Sequence, residues 1–344
     1  MKKIALILSI LLGSFALIWL LWRNSMQLNK YSNHFNRRFH SIRLSHIRNF
    51  PVSNIVKQVV SCSKAGVLFS LSSPGSYIQT NWNLQDSCSV HVPLPDTLSR
   101  KIHGDFFTQD NYPWLYLFLF NQNKVLVYNR LSKAQIIIAK PGPLFSRALP
   151  ISATSIIVRQ GSARFQTEEL AEWRIPDSTV YLSNHWTAIR YDGGLSSDGS
   201  LWYSELLHRV VYICSYTNEF LVMDTTLHQV QRFHTIDTVS HSHVRTTIVE
   251  GLLTNDSPAP VNNLAASVDG QGLFVASALK ADNESDANFH GFQVIDQYQL
   301  PKGDYLQSFY LPEVKGKRIQ EIFFSGNHFL ESFGDQVIIG QLAN

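Results

Sequence analysis

The stretch Ser197–Thr238 carries four short runs rich in β-branched and aromatic residues: Leu201–Ser204, Val210–Ser215, Phe220–Asp224 and Gln229–Thr235. Asp198-Gly199 opens the unit, and Tyr216-Thr217-Asn218-Glu219 and Thr225-Thr226-Leu227-His228 divide the later runs. Runs of this composition, bounded by Asn, Asp, Gly and Thr, predict four antiparallel strands joined by tight turns. The two middle runs are apolar at successive positions, so both faces of the resulting sheet must be covered. One sheet of this kind cannot be stable alone; it needs copies of itself.

Five further segments repeat the grammar. One contains Val67–Leu71, Tyr77–Leu84 and Ser89–Leu94, and a second contains Trp114–Phe120, Lys124–Tyr128 and Ala134–Ala139. A third, weaker copy has Ser155–Arg159 and Phe165–Ile175. Beyond the template come Leu273–Ser277, Phe292–Leu300 and Tyr305–Leu311, with the long loop Leu279–His290, and then Glu321–Ser325, Phe329–Phe333 and Gln336–Leu342. Successive copies start on the order of 40 to 60 residues apart, against about 40 to 50 for the blades of known propellers. The expected fold is therefore all-β, a six-bladed β-propeller over residues 59–344, in which ring closure leaves no blade face uncovered. A pair of β-sandwiches is the competing architecture, and it predicts an interdomain linker near the middle that the sequence does not offer.

In its strand rhythm and its Asp198-Gly199 turn the chain resembles six-bladed propellers of the TolB-like and NHL-like class. The WD dipeptide pattern and a regular kelch double glycine are absent. The resemblance implies a fold that hosts receptors, scaffolds, hydrolases and dehydrogenase subunits, and so it transfers no activity.

Ahead of the repeats, Ile4–Trp22 is an uninterrupted apolar run between Lys2-Lys3 and Arg23. Its length suits a bilayer-spanning helix, with Trp19 and Trp22 at an interfacial level. A cleaved signal peptide is the rival reading, with Ser14-Phe15-Ala16 as a small-x-small site, but cleavage there would leave Leu-Ile-Trp-Leu-Leu-Trp as a free terminus. An uncleaved single-pass anchor over residues 1–22 is expected, and the lack of a cysteine near its end excludes a bacterial-type lipoprotein. Arg23, Lys30, Arg37 and Arg38 oppose the positive-inside rule, yet long domains translocate largely regardless of such charge. The globular domain is expected to be extracytoplasmic, in a periplasm-like compartment.

Residues 23–58 read as a basic juxtamembrane linker. Phe35, Phe39, Ile42 and Phe50 alternate there with Arg37, Arg38, Arg43 and Arg48, the first three apolar residues at helical spacing. An amphipathic segment on anionic headgroups and a solvated linker with a few docked residues both fit. No acidic residue precedes Asp86, so most of the formal charge of +3 sits at the front. With the rest near neutral and no recognition motif, nucleic acid is not an expected partner.

Candidate chemistry is sparse. Cys62 and Cys88 could form a disulfide, whereas Cys214 lies in an apolar strand and reads as a small buried hydrophobe. His241 and His243, followed by Arg245, could offer two metal ligands or form a polar loop; His234 and Asp237 could be a dyad or a capped turn. Asp282–Asp286 is acidic without EF-hand spacing and reads as a solvated loop tip. No G-x-S-x-G elbow or phosphate-binding glycine loop occurs. Trp82, Trp114, Trp173 and Trp202 read as blade packing, while Trp186 and Tyr191, the latter before Asp192-Gly193-Gly194, could line a pocket or interface.

The expected binding residues are thus Trp186, Tyr191, Asp192, Asp237, His241, His243 and Arg245, with no catalytic residue, metal or cofactor assigned. The function these features point to is a membrane-anchored, non-catalytic binding or assembly module. Its loops Asp192–Ser196, Ser240–Arg245 and Leu279–His290 would meet a protein, peptide or glycan partner. The alternative is an enzyme, or an accessory subunit of a periplasmic oxidoreductase system, with a polar site in the channel. Oligomeric state is not legible.

Overall fold

The computed structural model describes residues 12–21, 32–52, 56–99, 102, 106–139, 144–162, 167–175, 180–182, 192–250 and 252–343. Helix α1 covers 12–21, and the remaining regular structure is almost entirely antiparallel sheet. Strand β1 (Arg43–Pro51) precedes the first blade, which is β2 (Val56–Ser63), β3 (Gly66–Leu71), β4 (Ser76–Thr80) and β5 (Ser87–His91). The second blade is β6 (Phe106–Asn111), β7 (Trp114–Leu119), β8 (Lys124–Asn129) and β9 (Gln135–Ala139). The third is β10 (Phe145–Ser152), β11 (Ser155–Ser162), β12 (Thr167–Arg174) and β13 (Val180–Leu182). The template unit folds as the fourth, β14 (Gly199–Ser204), β15 (Arg209–Cys214), β16 (Glu219–Asp224) and β17 (Val230–His234). A separate hairpin, β18 (Thr246–Val249) and β19 (Leu252–Asn255), follows it. The fifth blade is β20 (Asn263–Asp269), β21 (Gly272–Ser277), β22 (Phe292–Gln299) and β23 (Asp304–Pro312), and the sixth is β24 (Glu321–Ser325), β25 (His328–Ser332), β26 (Gln336–Ala343) and β1.

The first strands of the blades neighbour one another in the order β2, β6, β10, β14, β20, β24 and back to β2, which closes a six-bladed ring. Alternation along each middle strand fills the two seams beside it. In β7, Leu115, Leu117 and Leu119 pack with the first blade, while Tyr116 and Phe118 pack with the third. In β15, Val210, Tyr212 and Cys214 face the third blade, and Val211 and Ile213 face the fifth. Because the inner strands do not pair with each other, side chains bridge several seams. Gln58 Nε2 donates to Thr108 O at 2.9 Å and its Oε1 accepts from Thr108 N at 3.1 Å. Ser204 Oγ donates to Gly270 O at 2.6 Å, and Ser267 Oγ accepts from Phe324 N at 3.0 Å. Gly199 is needed where the template begins: any Cβ there would collide with the Ile213 carbonyl.

The last blade is completed from the other end of the chain. β1 runs antiparallel to β26, from Arg43 opposite Ala343 to Pro51 opposite Gln336, with a bulge between Ser45 and Arg48. Residues 43–51 are therefore the outer strand of the sixth blade, not linker, and the propeller begins near Arg43 instead of Val59. The helical spacing of Phe35, Phe39 and Ile42 is likewise not used: described residues 32–42 contain no helix. These residues are instead placed by contacts with the fifth blade: Phe35 is buried, Phe39 stacks on Tyr310, and Arg38 and His40 bond to Ser308, so tertiary contacts outweigh the local pattern.

The expected anchor Ile4–Trp22 lies partly outside the described residues, of which 12–21 form α1. Among the described residues no helix is long and apolar enough to cross a membrane. Leu12, Phe15, Leu17, Ile18, Trp19, Leu20 and Leu21 are each at least half exposed. The expected bridge between Cys62 and Cys88 is absent, and both are free. They sit on the first and last strands of one blade, separated by three strand spacings of about 4.8 Å, beyond the roughly 7 Å that a disulfide can span between Cα atoms.

Removing residues 1–51 leaves the β26 edge unpaired, and the truncated chain is expected to unfold at lower temperature and to aggregate on heating. Thermal unfolding monitored together with light scattering checks this.

Candidate functional site

Antiparallel order within the blades places every connection between successive blades, and every turn between a blade's second and third strands, at one end of the ring. The longest of these is residues 235–262, which include the β18–β19 hairpin; residues 278–291 include the single-turn helix α2 of this end (Asp286–Phe289), capped by the Ser285 side chain. The opposite end has short hairpin turns throughout.

The loop 278–291 is occupied by the chain's own residues 32–37. Asp282 accepts from Ser32 Oγ at 2.6 Å, Asn33 N at 2.8 Å and His34 N at 3.1 Å. Asn33 Nδ2 donates to Lys280 O, and Asn33 O accepts from Thr238 Oγ1 at 2.7 Å. Below them Arg37 is buried, its Nε and Nη2 on the two oxygens of Asp296 at 2.8 and 3.1 Å, and its Nη1 on Glu284 Oε2 at 3.0 Å and Leu279 O at 2.9 Å. Ser308 Oγ donates to Asp296 Oδ1, the oxygen that Arg37 Nε also holds, and Tyr310 Oη donates to Glu284 Oε1, the carboxylate oxygen that Arg37 does not reach. One guanidinium between two carboxylates leaves a net negative charge, which these hydroxyls and the Ala281 N–H offset. Within Asp282–Asp286 four residues are exposed, as expected of a loop tip, but Glu284 is buried and ion-paired, and Leu279–His290 is a receptor for the chain's own front segment.

The other expected residues separate. Trp186 and Tyr191 lie outside the described residues. Asp192 accepts from Gly194 N at 3.0 Å and Ser196 N at 3.2 Å, closing its own turn. Asp237 is buried; Thr235 Oγ1 donates to one oxygen and Val239 N to the other. Burial pushes its carboxyl above the usual range, opposed by those two hydrogen bonds. His234 is exposed, and its Nδ1 meets Asn218 Oδ1 instead of Asp237. His241, His243 and Arg245 are exposed along the rise to the hairpin, on alternate positions of an extended stretch. Among the described residues no group of three or more His, Cys, Asp or Glu side chains is placed to hold a metal ion.

Three charged groups escaped the sequence reading. Between the third and fourth blades, Arg159 pairs with Glu168 and Asp198, and Arg147 pairs with Asp198 at 3.3 Å while its Nε donates to Gly199 O. Arg159 Nη2 also holds Gly194 O at 2.6 Å. Two cations and two carboxylates cancel, so this cluster fixes the connection 192–198 and leaves no unused acid or base. Between the sixth and first blades, Glu321 and Gln320 line a cavity of about 290 Å³ with Val59, Phe69, Ser332 and Val337. The Glu321 carboxyl is pushed up to about 7 by burial, against a hydrogen bond from Val59 N. On the opposite face of that blade, Glu331 is fully buried opposite Ile322 and Ile338, with neither oxygen hydrogen-bonded, and burial pushes it well above the carboxylate range. The available signal was a charge inside an apolar run, as in Ser155-Ile-Ile-Val-Arg159, Val294-Ile-Asp296 and Phe329-Leu-Glu331.

No protein-family model matches the chain, and no curated protein matches it by sequence. Among solved structures it is similar to a member of the DUF4221 family from Bacteroides vulgatus, with a TM-score of 0.58 and 11% identity over 90% of this chain and 99% of that one. It is also similar to a putative gluconolactonase, with a TM-score of 0.46 and 8% identity over 89% of this chain and 94% of that one. A calcium-binding regucalcin from Agrobacterium tumefaciens aligns with a TM-score of 0.46 and 9% identity over 89% and 93%. At these identities the likeness shows the fold alone, and the two weaker matches support no further argument.

Replacing Arg37 with Leu leaves two buried carboxylates without a cation and is expected to cost about 3–5 kcal/mol, read by denaturant unfolding. Glu331 behaves oppositely. Its folded-state affinity for a proton exceeds the unfolded one, so its contribution is complete at acid pH and is lost as pH rises through the folded value. Glu331→Leu should therefore gain about 1–3 kcal/mol near pH 8, where an unpaired carboxyl is most costly, and the gain should shrink toward pH 4. Melting curves of both chains across that range check the sign.

Proposed function

We propose that the protein is a membrane-tethered, extracytoplasmic propeller that acts as a non-catalytic binding or assembly module for a protein, peptide or glycan partner. The observation that carries this reading is the placement of the front segment. Residues 32–37 are fastened to the same end of the ring from which His241, His243 and Arg245 rise exposed. A tether leaving from that end keeps this polar strip at the membrane, where encounter with a partner is confined to a surface. The exposed apolar residues of α1 and the Ile4–Trp22 run support the tether. The fourth blade, entered through Asp198-Gly199, supports a place within the TolB-like and NHL-like propellers.

The contact strip is polar and exposed at alternate positions, with His241 Nδ1 meeting Ser240 Oγ at 2.8 Å, which suits recognition of an acidic or hydroxyl-rich segment. The alternative enzyme reading needs His241, His243, Arg245 and Asp237 to converge. Asp237 is buried in its own turn, whereas the other three are exposed on the rise to the hairpin.

Crosslinking the full chain in its native membrane, followed by affinity capture and mass spectrometry, tests the proposal. The wild-type chain is expected to capture a defined partner that the triple variant His241→Ala, His243→Ala, Arg245→Ala loses while keeping its melting temperature. Equal capture by both chains would overturn the role of the strip.

A further inference from the structure

The β18–β19 hairpin has no place in any blade. It stands between the outer strand of the fourth blade and the inner strand of the fifth, as a two-stranded sheet with Thr246 opposite Asn255 and Val249 opposite Leu252. Its base is tied by Asp256 N donating to Arg245 O at 2.8 Å, and the Leu253 side chain leans toward the Gly193 turn. Toward its tip the hairpin is apolar and bare: Ile248 is 71% exposed and Val249 53%, with Leu253 at 38%. Neighbouring branched side chains at such exposure, on an element that contributes nothing to the ring core, call for a contact outside the ring.

We infer that this hairpin tip rests in the interfacial layer of a lipid bilayer, fixing the propeller with its long-loop end toward the membrane. The inference deepens the proposed function and rests on its tether. Three observations choose lipid as the occupant. The chain enters the described fold at Ser32, on the same end of the ring, and Asn33 is bonded to Thr238 in the very connection that carries the hairpin. Only ten residues, 22–31, separate Ser32 from α1, a length that spans at most roughly 35 Å. The side chains of α1 are themselves exposed and apolar, so the environment that suits them lies within that reach of Ser32, at the end of the ring that carries the hairpin.

Glu250 occupies the turn and is exposed, which limits the tip to the headgroup and upper acyl level, about 5–10 Å deep for interfacial elements. The opposite end also exposes apolar residues, Tyr112, Leu131 and Leu206, each on a hairpin turn of a blade. Leu206 therefore serves as the control. Docking by the hairpin holds His241, His243 and Arg245 at headgroup level, so the partner they meet is itself embedded in or apposed to the membrane.

The experiment uses the full chain carrying Cys88→Ser, to remove the exposed native thiol, with Ile248→Cys or Leu206→Cys labelled by an environment-sensitive fluorophore. Each protein is reconstituted into phosphatidylcholine and phosphatidylglycerol vesicles with or without nitroxide-bearing lipid. The chain without an added cysteine gives the background. The expected result is co-flotation of both proteins, with a blue shift and loss of most emission at position 248 and little change at 206. Co-flotation without quenching at 248 would place the tip in water or against protein, overturning the docking while leaving the tether. Failure of the chain to float with vesicles would overturn both.

Discussion

Each blade of this protein is apolar on both faces, and that condition governs everything else. Leu115, Leu117 and Leu119 of β7 are buried on one side while Tyr116 and Phe118 are buried on the other. No blade can shed either neighbour without exposing a row of large side chains, so an open stack would end in two uncovered faces. Closure of the ring removes both. The cost falls on the seam where the chain's two ends meet, which must be secured without a covalent connection inside one blade. Pairing β1 with β26 does this by building the sixth blade from both termini, so opening the ring requires breaking a sheet as well as separating two apolar faces.

The same segment that closes the ring is fastened a second time before it becomes a strand. From Ser32 to Arg37 it binds the loop 278–291, and from Arg38 to His40 it runs along β23, where His40 N donates to Ser308 O and Ser308 N to Arg38 O. These attachments differ in kind. The Arg37 group is buried, and an ion pair there is strong against loss of one partner but contributes little net stability over an apolar replacement. Its value lies in position: a guanidinium between Asp296 and Glu284 admits one placement of the segment. β1 then starts from a fixed point on the fifth blade and meets β26 in one register.

How much of this was legible in the residues depended on what each strand faces. The template blade was readable in full because its inner strand, Leu201-Trp-Tyr-Ser204, is itself apolar enough to look like a strand. The inner strand of the second blade, Phe106-Phe-Thr-Gln-Asp-Asn111, was not, because the Thr108 and Asp110 side chains are spent on bonds across the seam, to Tyr77 Oη and from Ser61 Oγ. β1 was hidden for another reason: its partner is nearly 300 residues away in the sequence, and nothing local marks an arginine-studded segment as the outer strand of the last blade. The candidate site suffered most. Asp237 and Asp192 read as loop carboxylates for binding, and each also accepts hydrogen bonds within its own turn, which the sequence did not show. Arg37 looked like a solvent or headgroup cation and is a buried guanidinium paired with Asp296 and Glu284.

The front segment of the chain joins the ring beside Asp282, and this changes how load applied along it reaches the fold. Any pull along the chain from the amino-terminal side meets the carboxylate of Asp282 and the Asn33–Thr238 bond first, then the Arg37 group, and only after these the pairing of β1 with β26. The ring seam is thus shielded in series by contacts to the fifth blade. Those contacts also join residues 32–37 to the connection that carries the exposed strip and hairpin, through Thr238. The front segment and the elaborated loops are consequently bonded to one another at one corner of the ring.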